Sequence, residues 1–598
     1  MINHKKWLTL GIATLSLMGL TACSNQAKVG KHVHFSETYN ASKPATKAGN
    51  DSTLHVAEIN DAPFAGMTLP TLQNNQEDAD VYSPGGEGAL FNQNKNHKII
   101  NNGLGSLKLN KKKNTALVTL RKNAKWSNGQ KVTAKDIEFP YEILANPKSK
   151  SQLYSPDMSD IKGMNAYHNG KAKTISGITF PDGQKGNKAL FHFNQITPAI
   201  EYASNDFMWN GVEPYEHLKG IPISKLPSSP QVRKHPVFIG PYKLKKQIDG
   251  ESTDWVPDKY YYGKKPHIKN IDIQVVSSSN TVAALKSKKY DFTFGNSASD
   301  YAHIKPLKDY SEVGRPNFSI ANFGFMVGKG NKSGHSTMTH SKMGNVNLRK
   351  AMLYALNLNL VAKKFGNGLS YRANSLVPPA FNKYHSSYNS TPGVPYNMAK
   401  AKKLLKDAGY TKKHGSKYVT KPNGKKLVIH YGAMQGNDIT KATDDYFMQQ
   451  WHKLGLDVKY ANGKPMEMNS FYSTLQKPVQ HVMDVYIASS TLGTQPNEAE
   501  PTQADMYAPD DPGNSSHLNT KENTKLYKEM NDKKSFNLKH RIKIFHKWQK
   551  YMNKIAVYAP EFYGIDWTAV NHRVTGFDYK AGNNDFWGNL GLNSTHLK

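Results

Sequence analysis

Leu120 to Phe139 reads LRKNAKWSNGQKVTAKDIEF, and the order of signals in it decides the class of fold. The stretch leading into it, Thr115-Ala-Leu-Val-Thr-Leu-Arg121, alternates as a half-buried strand does. Asn128-Gly129, just past Trp126, is a tight-turn pair, because both residue types tolerate positive φ. Thr133 and Asp136 then form an S/T-x-x-D/E capping box, which predicts a helix through about Ala145. Pro140 should kink that helix, since it lacks a backbone donor. A strand, a tight turn and a capped helix in quick succession point to a mixed α/β chain.

Working outward, Gly170 to Ile178 (GKAKTISGI) turns into a second strand. Pro236 to Leu244 (PVFIGPYKL) reads as a strand broken by Gly-Pro and resumed, and Trp255 to Pro266 (WVPDKYYYGKKP) as an aromatic loop. The second half carries amphipathic helices. Leu348, Ala351, Met352, Ala355, Leu356 and Leu360 share one face. Asn397 caps a helix with Met398, Ala401, Leu404, Leu405 and Ala408 inward and Gly409 as its stop. Phe447, Met448, Trp451 and Leu454 line another, ended by Gly455, after which Leu456 to Tyr460 reads as a strand. Phe545, Trp548 and Met552 mark a late helix. These stripes are read as core. There is no internal repeat, and the irregular alternation of strands and helices fits a mixed α/β architecture.

The first residues read as an address. Lys5 and Lys6 precede the apolar run Trp7 to Leu20, which is shorter than the roughly 20 residues a spanning helix needs. The run ends in Leu20-Thr21-Ala22-Cys23, which resembles a bacterial lipobox; the resemblance implies a signal peptide over 1–22 and a lipid on Cys23. That thiol is the single Cys among 598 residues, so disulfides within the chain and Cys-based redox or zinc sites are excluded. Residues 23–52 then form the lipidated Cys and a flexible Lys/Ser/Asn-rich spacer. His32 and His34 lie in it with no third ligand nearby.

The formal net charge is +33, and removing a leader with two lysines and no acid leaves +31. Lysines run the whole length with no nucleic-acid motif, so nucleic acid is not an expected partner; an exported chain of this charge would sit against anionic surfaces. No GxxxxGK[ST], HExxH or GxSxG occurs, and the acids and histidines show no ligand spacing. No catalytic constellation, cofactor or metal site is expected.

The stretch quoted first resembles the signature segment of the extracellular solute-binding proteins of the dipeptide/oligopeptide/nickel class. GKAKTISGI, GPYKL (Gly240–Leu244), NLRKAMLYALN (Asn347–Asn357), YNMAKAKKLLKDAGY (Tyr396–Tyr410) and WHKLGLDVKY (Trp451–Tyr460) follow in the family's order. The likeness runs from about Thr53 to the C-terminus, nearest to Gram-positive oligopeptide-binding lipoproteins. It implies a two-lobe, periplasmic-binding-protein-like α/β fold of the three-domain type, with mixed sheets. Residues 53–90, 226–329 and 556–598 would make a discontinuous domain I, 91–225 domain II and 330–555 domain III.

The implied function is capture of extracellular oligopeptides between the lobes and delivery to an ABC permease with cytoplasmic ATPases. The protein would be a non-enzymatic, lipid-anchored monomer on the outer face of the membrane. A same-fold binder of a signalling peptide, nickel chelate or sugar, and a basic adhesion or scaffold protein, stay open as alternatives. The family's peptide-pairing strand resembles Asp484 to Gln495 (DVYIASSTLGTQ), making Ala488, Ser490, Leu492, Gln495 and Glu498 candidate contacts, with Phe64 and Phe325 as further candidates. Gln495 stands where the family carries an Asp for the peptide's α-amino group, and Ser490 where Trp is common.

Overall fold

The computed structural model describes residues 31–41, 53–73, 75–86, 89–203, 205, 207–331, 335–436, 438–491, 507–509, 511 and 513–597. They fall into two compact units. One holds residues 34–315 together with those from Asp566 onward; the other holds 316–491, 507–565 and 31–33.

The first unit contains, in chain order, the strands β1 (Thr53–Ile59), β2 (Gly105–Asn110), β3 (Thr115–Leu120), β4 (Ile178–Thr179), β5 (Lys188–His192), β6 (Tyr242–Ile248), β7 (Ser252–Pro257), β8 (Asn270–Val276) and β9 (Phe292–Phe294), with shorter pairings around them. They build two sheets, in the orders β9-β1-β8-β7-β6 and β2-β3-β5-β4. β1 runs parallel to both β8 and β9, while β6, β7 and β8 are antiparallel neighbours. Leu54, Val56, Trp255, Ile271, Ile273 and Phe292 fill the core of the first sheet. Helix α1 (Ala134–Ala145) carries the expected cap, with the Thr133 amide donating to Asp136 Oδ2 at 2.6 Å, and its assigned span passes through Pro140. Closing this unit, buried Arg573 grips Asp291 with two bonds of 2.6 Å and also donates to the Thr53 and Thr595 carbonyls.

Several local expectations are corrected here. Of the GKAKTISGI segment only its last residue, Ile178, is strand, continuing to Thr179, because the Lys171 and Ala172 amides fold back to cap the Ala166 carbonyl. Residues 236–241 are not strand, and β6 begins at Tyr242 once Gly240 has passed against Gly85, its amide bonded there at 2.6 Å. Trp255 belongs to β7 and is 1% exposed, so the aromatic loop starts after Pro257. The spacer is also shorter than expected. Thr38–Tyr39 pairs with Phe577–Asp578, and Phe35 packs edge-on against Tyr301, because these aromatics give an otherwise polar segment something to bury.

The second unit contains β10 (Ser319–Phe325), α2 (Val346–Tyr354), α3 (Leu358–Phe365), β11 (Ser370–Arg372), α4 (Met398–Asp407), β12 (Val428–Gly432), α5 (Asp438–Leu454), β13 (Asp457–Tyr460), α6 (Met468–Leu475), β14 (Val485–Thr491), α7 (Lys521–Asn531), α8 (Leu538–Ile555) and β15 (Tyr558–Asn571, as far as Ile565). The sheet order is β15-β10-β14-β12-β13, with β11 on β15. Phe447, Trp451, Phe545, Trp548 and Met552 are buried in one large core, as their spacing predicts. Asn397 caps α4 through the Lys400 amide at 2.8 Å, and Gly409 and Gly455 end α4 and α5 with positive φ.

One reading differs from this. The stripe from Leu348 to Leu360 is two helices, because Asn357 caps a new one through the Leu360 amide; Leu360 is 49% exposed rather than core.

Candidate functional site

β14 is the strand that contains two of the sequence candidates, and its two sides are not alike. On one side it pairs with β10 over its whole length, from Phe325↔Val485 to Ser319↔Thr491. On the other it meets β12 only at Tyr431↔Val485 and Gly432↔Tyr486. β12 then leaves: Met434 bridges Met466 instead, and the Met466 amide bonds the Ala433 carbonyl at 2.8 Å. Among the described residues, no strand covers Ile487 to Thr491 on that side.

The register decides which main-chain groups are open. The Met326 amide donates to the Asp484 carbonyl at 2.9 Å, so even-numbered positions of β14 direct their backbone groups to β10. The groups of Ile487, Ser489 and Thr491 therefore point to the open side. Ser489 is exposed there, and its backbone is hydrogen-bonded to the Tyr472 hydroxyl from α6. Burial pushes the Tyr472 hydroxyl pKa up against that bond, which keeps it neutral.

Asp484 fixes the start of the strand. Its carboxylate accepts from Lys342 Nζ at 2.5 Å and from the His430 amide at 2.8 Å, tying β14 to β12 before they part. The wall beside the edge is soft: Met326, Met466 and Met483 are buried with Phe471, Leu475 and Tyr486, and Met434, Tyr472 and Ala488 pack against them. Thioethers on unbranched chains adapt to irregular shapes at little cost.

Of the sequence candidates, Ala488 and Ser490 sit on this strand opposite Asn322 and Ile320, with their main chain turned to β10 and the Ala488 side chain in the methionine cluster. Leu492, Gln495, Glu498 and Cys23 lie outside the described residues. Phe64 and Phe325 are 3% and 0% exposed and are core side chains of the two different units. Sequence reasoning missed Ile487, Ser489 and Tyr472. The alternation of DVYIASST gives the faces of the strand, whereas the direction of its backbone groups depends on register with β10, which no local signal specifies.

An exposed backbone edge next to a deformable apolar wall can pair with any extended chain, because every residue offers the same amide and carbonyl. This is the construction of a binding protein. The chain belongs to the bacterial extracellular solute-binding proteins, family 5, whose model (its middle part) matches residues 104–514. It is 37% identical over 542 residues to the oligopeptide-binding protein OppA of Lactococcus lactis subsp. cremoris, covering 90% of this chain and 89% of that one. The structure of lactococcal OppA, complexed with an endogenous peptide in the closed conformation, superposes with a TM-score of 0.80 at 36% identity, over 90% of this chain and 100% of that one. AppA from Bacillus subtilis, in complex with a nonapeptide, shares the fold, with a TM-score of 0.64 at 18% identity over 92% and 99% of the two chains.

Proposed function

We propose that this protein is the substrate-binding subunit of an ABC importer, capturing oligopeptides outside the cell and handing them to a membrane permease with cytoplasmic ATPases. The observation that carries the reading is the level of identity to lactococcal OppA, 36% over 90% of this chain, in a relative whose structure holds an endogenous peptide. The open side of β14 supports it, since the main-chain groups of Ile487 and Thr491 and the Ser489 carbonyl face that side, where an extended peptide can pair regardless of its sequence. In this reading the protein is no enzyme: the site supplies hydrogen bonds and adaptable surface. It works as a monomer, held to the outer face of the membrane by lipid on Cys23.

The peptide N-terminus is the point at which the chain departs from its family. An ammonium in a closed site needs an opposite charge or several acceptors. Gln495 offers a neutral carbonyl, about half as strong a partner as a carboxylate. The anchor is therefore weak at Gln495, or is transferred to Glu498 or Glu500, with Ala488, Ser490 and Leu492 along the same run.

Mass spectrometry of ligands carried through purification of the mature protein tests the function. Oligopeptides of mixed sequence are expected; recovery of a single non-peptide solute would refute it. Titration of one peptide with free and acetylated ends tests the anchor. A small acetylation penalty in wild type that grows in Gln495→Asp supports the weak anchor, and a large one abolished in Glu498→Gln moves it to Glu498. A large penalty unchanged by these variants and by Glu500→Gln removes the site from this loop.

A further inference from the structure

Helix α8 carries six basic residues besides two histidines and no acid over Leu538–Ile555. Its buried face is set by Arg541, Ile544, Phe545, Trp548, Gln549 and Met552. What remains fully exposed is Leu538 and then only lysines: Lys539, Lys543, Lys547, Lys550 and Lys554. Their spacing of four, four, three and four residues puts them in one stripe along the helix, about 22 Å from end to end at 1.5 Å per residue. Among the described residues none of the five stands in an ion pair. The acids of the neighbouring helix α7 and its exit are Glu522, Glu529 and Asp532; Asp532 is committed to capping, accepting from the Lys534 and Ser535 amides.

The stripe continues beyond the helix. Lys350 on α2 is half-buried, and its ammonium pKa is lowered by burial, then by the neighbouring charges of Lys400, Arg349 and Lys554. Lys554 thus leads onto Lys350 and on to Lys400 of α4. The chain from Met398 to Lys426 there holds ten lysines against one acid, Asp407. A net +33 spread evenly over 598 residues would give a segment of that length less than a quarter of its charge.

Like charges at i,i+4 destabilise a helix, and cations in its first turn oppose the dipole. Lys539 and His540 stand in a first turn without an acid. Five lysines aligned on one face, with no ion-pair partner among the described residues, form a surface that is relieved by negative charge from outside. The exposed stripe carries a single large apolar side chain, Leu538 at its head, too little to insert into a bilayer, and its shape is a line rather than a disc. We infer that α8 and the adjoining lysines of α2 and α4 form a docking track for a linear phosphodiester polyanion of the cell surface, separate from the β14 edge. The ammonium groups recur every 4.5–6 Å or so along the axis, so consecutive phosphates of an extended chain can each meet one.

The test uses the full mature protein and a synthetic poly(glycerol phosphate), with binding followed by calorimetry across a salt series. The stripe variant is Lys543→Gln/Lys547→Gln/Lys550→Gln. The control removes the same charge from an equally basic hairpin of the first unit, Lys108→Gln/Lys112→Gln/Lys113→Gln. The stripe variant is expected to bind roughly tenfold more weakly, with the slope of log K against log salt reduced by about 2. The control should change less than about twofold by the same reasoning. The melting temperature of the stripe variant should hold or rise, because like-charge neighbours have been removed. Equal losses in both variants would mean diffuse attraction and overturn the track. So would absence of polymer binding alongside stripe-dependent binding to vesicles of anionic phospholipid, which would make the surface a lipid contact.

Discussion

Gly324→Ala is a demanding probe of the strand pair that builds the site. Gly324 of β10 faces Tyr486 of β14, and the Tyr486 ring lies across it. A Cβ at 324 would stand 2.1 Å from Tyr486 Cζ and 2.4 Å from its hydroxyl. The ring cannot yield easily: Tyr486 is 2% exposed, and its hydroxyl is bonded to Ser516 Oγ at 3.0 Å. Overpacking of this kind costs about 1–3 kcal/mol, and breaking the hydroxyl bond adds about 1 kcal/mol. Gly→Ala returns about 0.4–1 kcal/mol through the unfolded chain. The expected net loss is about 1–3.6 kcal/mol, which speeds exchange of the β14 amides roughly 5- to 400-fold wherever they exchange by opening of this unit. Native-state hydrogen exchange on wild type, Gly324→Ala, Tyr486→Leu and the double variant reads this directly. With the ring gone, Gly324→Ala should cost less than about 0.5 kcal/mol, giving a large coupling term. The same cost in both backgrounds would refute the argument that the absent side chain exists for Tyr486.

Three further outcomes are expected. Asp291→Asn should lower the melting temperature of the first unit sharply, because it strands the fully buried Arg573 that Asp291 holds with two 2.6 Å bonds, a loss of about 3–5 kcal/mol; calorimetry of the variant checks it. Glu213 is buried against Thr71 and beside Asp136, and burial first, then the Asp136 charge, pushes its pKa up to about 8. A raised carboxyl pKa means the folded state holds the proton more tightly, so this contribution is full below about 4.5 and is lost as pH rises through about 8. Glu213→Gln should therefore gain stability relative to wild type across that window in urea titrations, and a constant difference would contradict the assignment. Cys23→Ala should move the protein from the membrane to the soluble fraction on cell fractionation; retention on the membrane would remove lipid at Cys23 as the anchor.

How much was legible in the sequence varied with the range of the interactions. Caps and stops read correctly because they are local: the Asp136 reach to the Thr133 amide, Asn397 on the Lys400 amide and the positive φ at Gly455 each depend on a few residues. Segments whose fate was set from afar read less well. PVFIGPYKL has strand composition, yet its first half is held by Gly240 against Gly85, a contact no periodicity announces. Leu360 fits the apolar spacing of the preceding helix, but the Asn357 cap resets the helical phase and turns it outward. The candidate site lay between these cases. The strand was proposed from resemblance, while which of its positions turn their backbone away from β10 needed the partner strand.

That open edge raises a problem which the composition of the chain answers. Unpaired backbone beside apolar surface invites a second copy to pair there, and proteins with exposed edges carry devices against it. Here the stretch beyond Gly432 is short, and Ser489 at its middle is exposed and polar. A second device is the net charge of +33, carried by lysines over both units. Two such copies repel once their surfaces come within about a Debye length, roughly 8 Å at physiological salt, whereas a short peptide of low charge meets no comparable barrier. The same lysines that draw the protein to an anionic surface thus help keep its binding edge available to small partners and closed to its own kind.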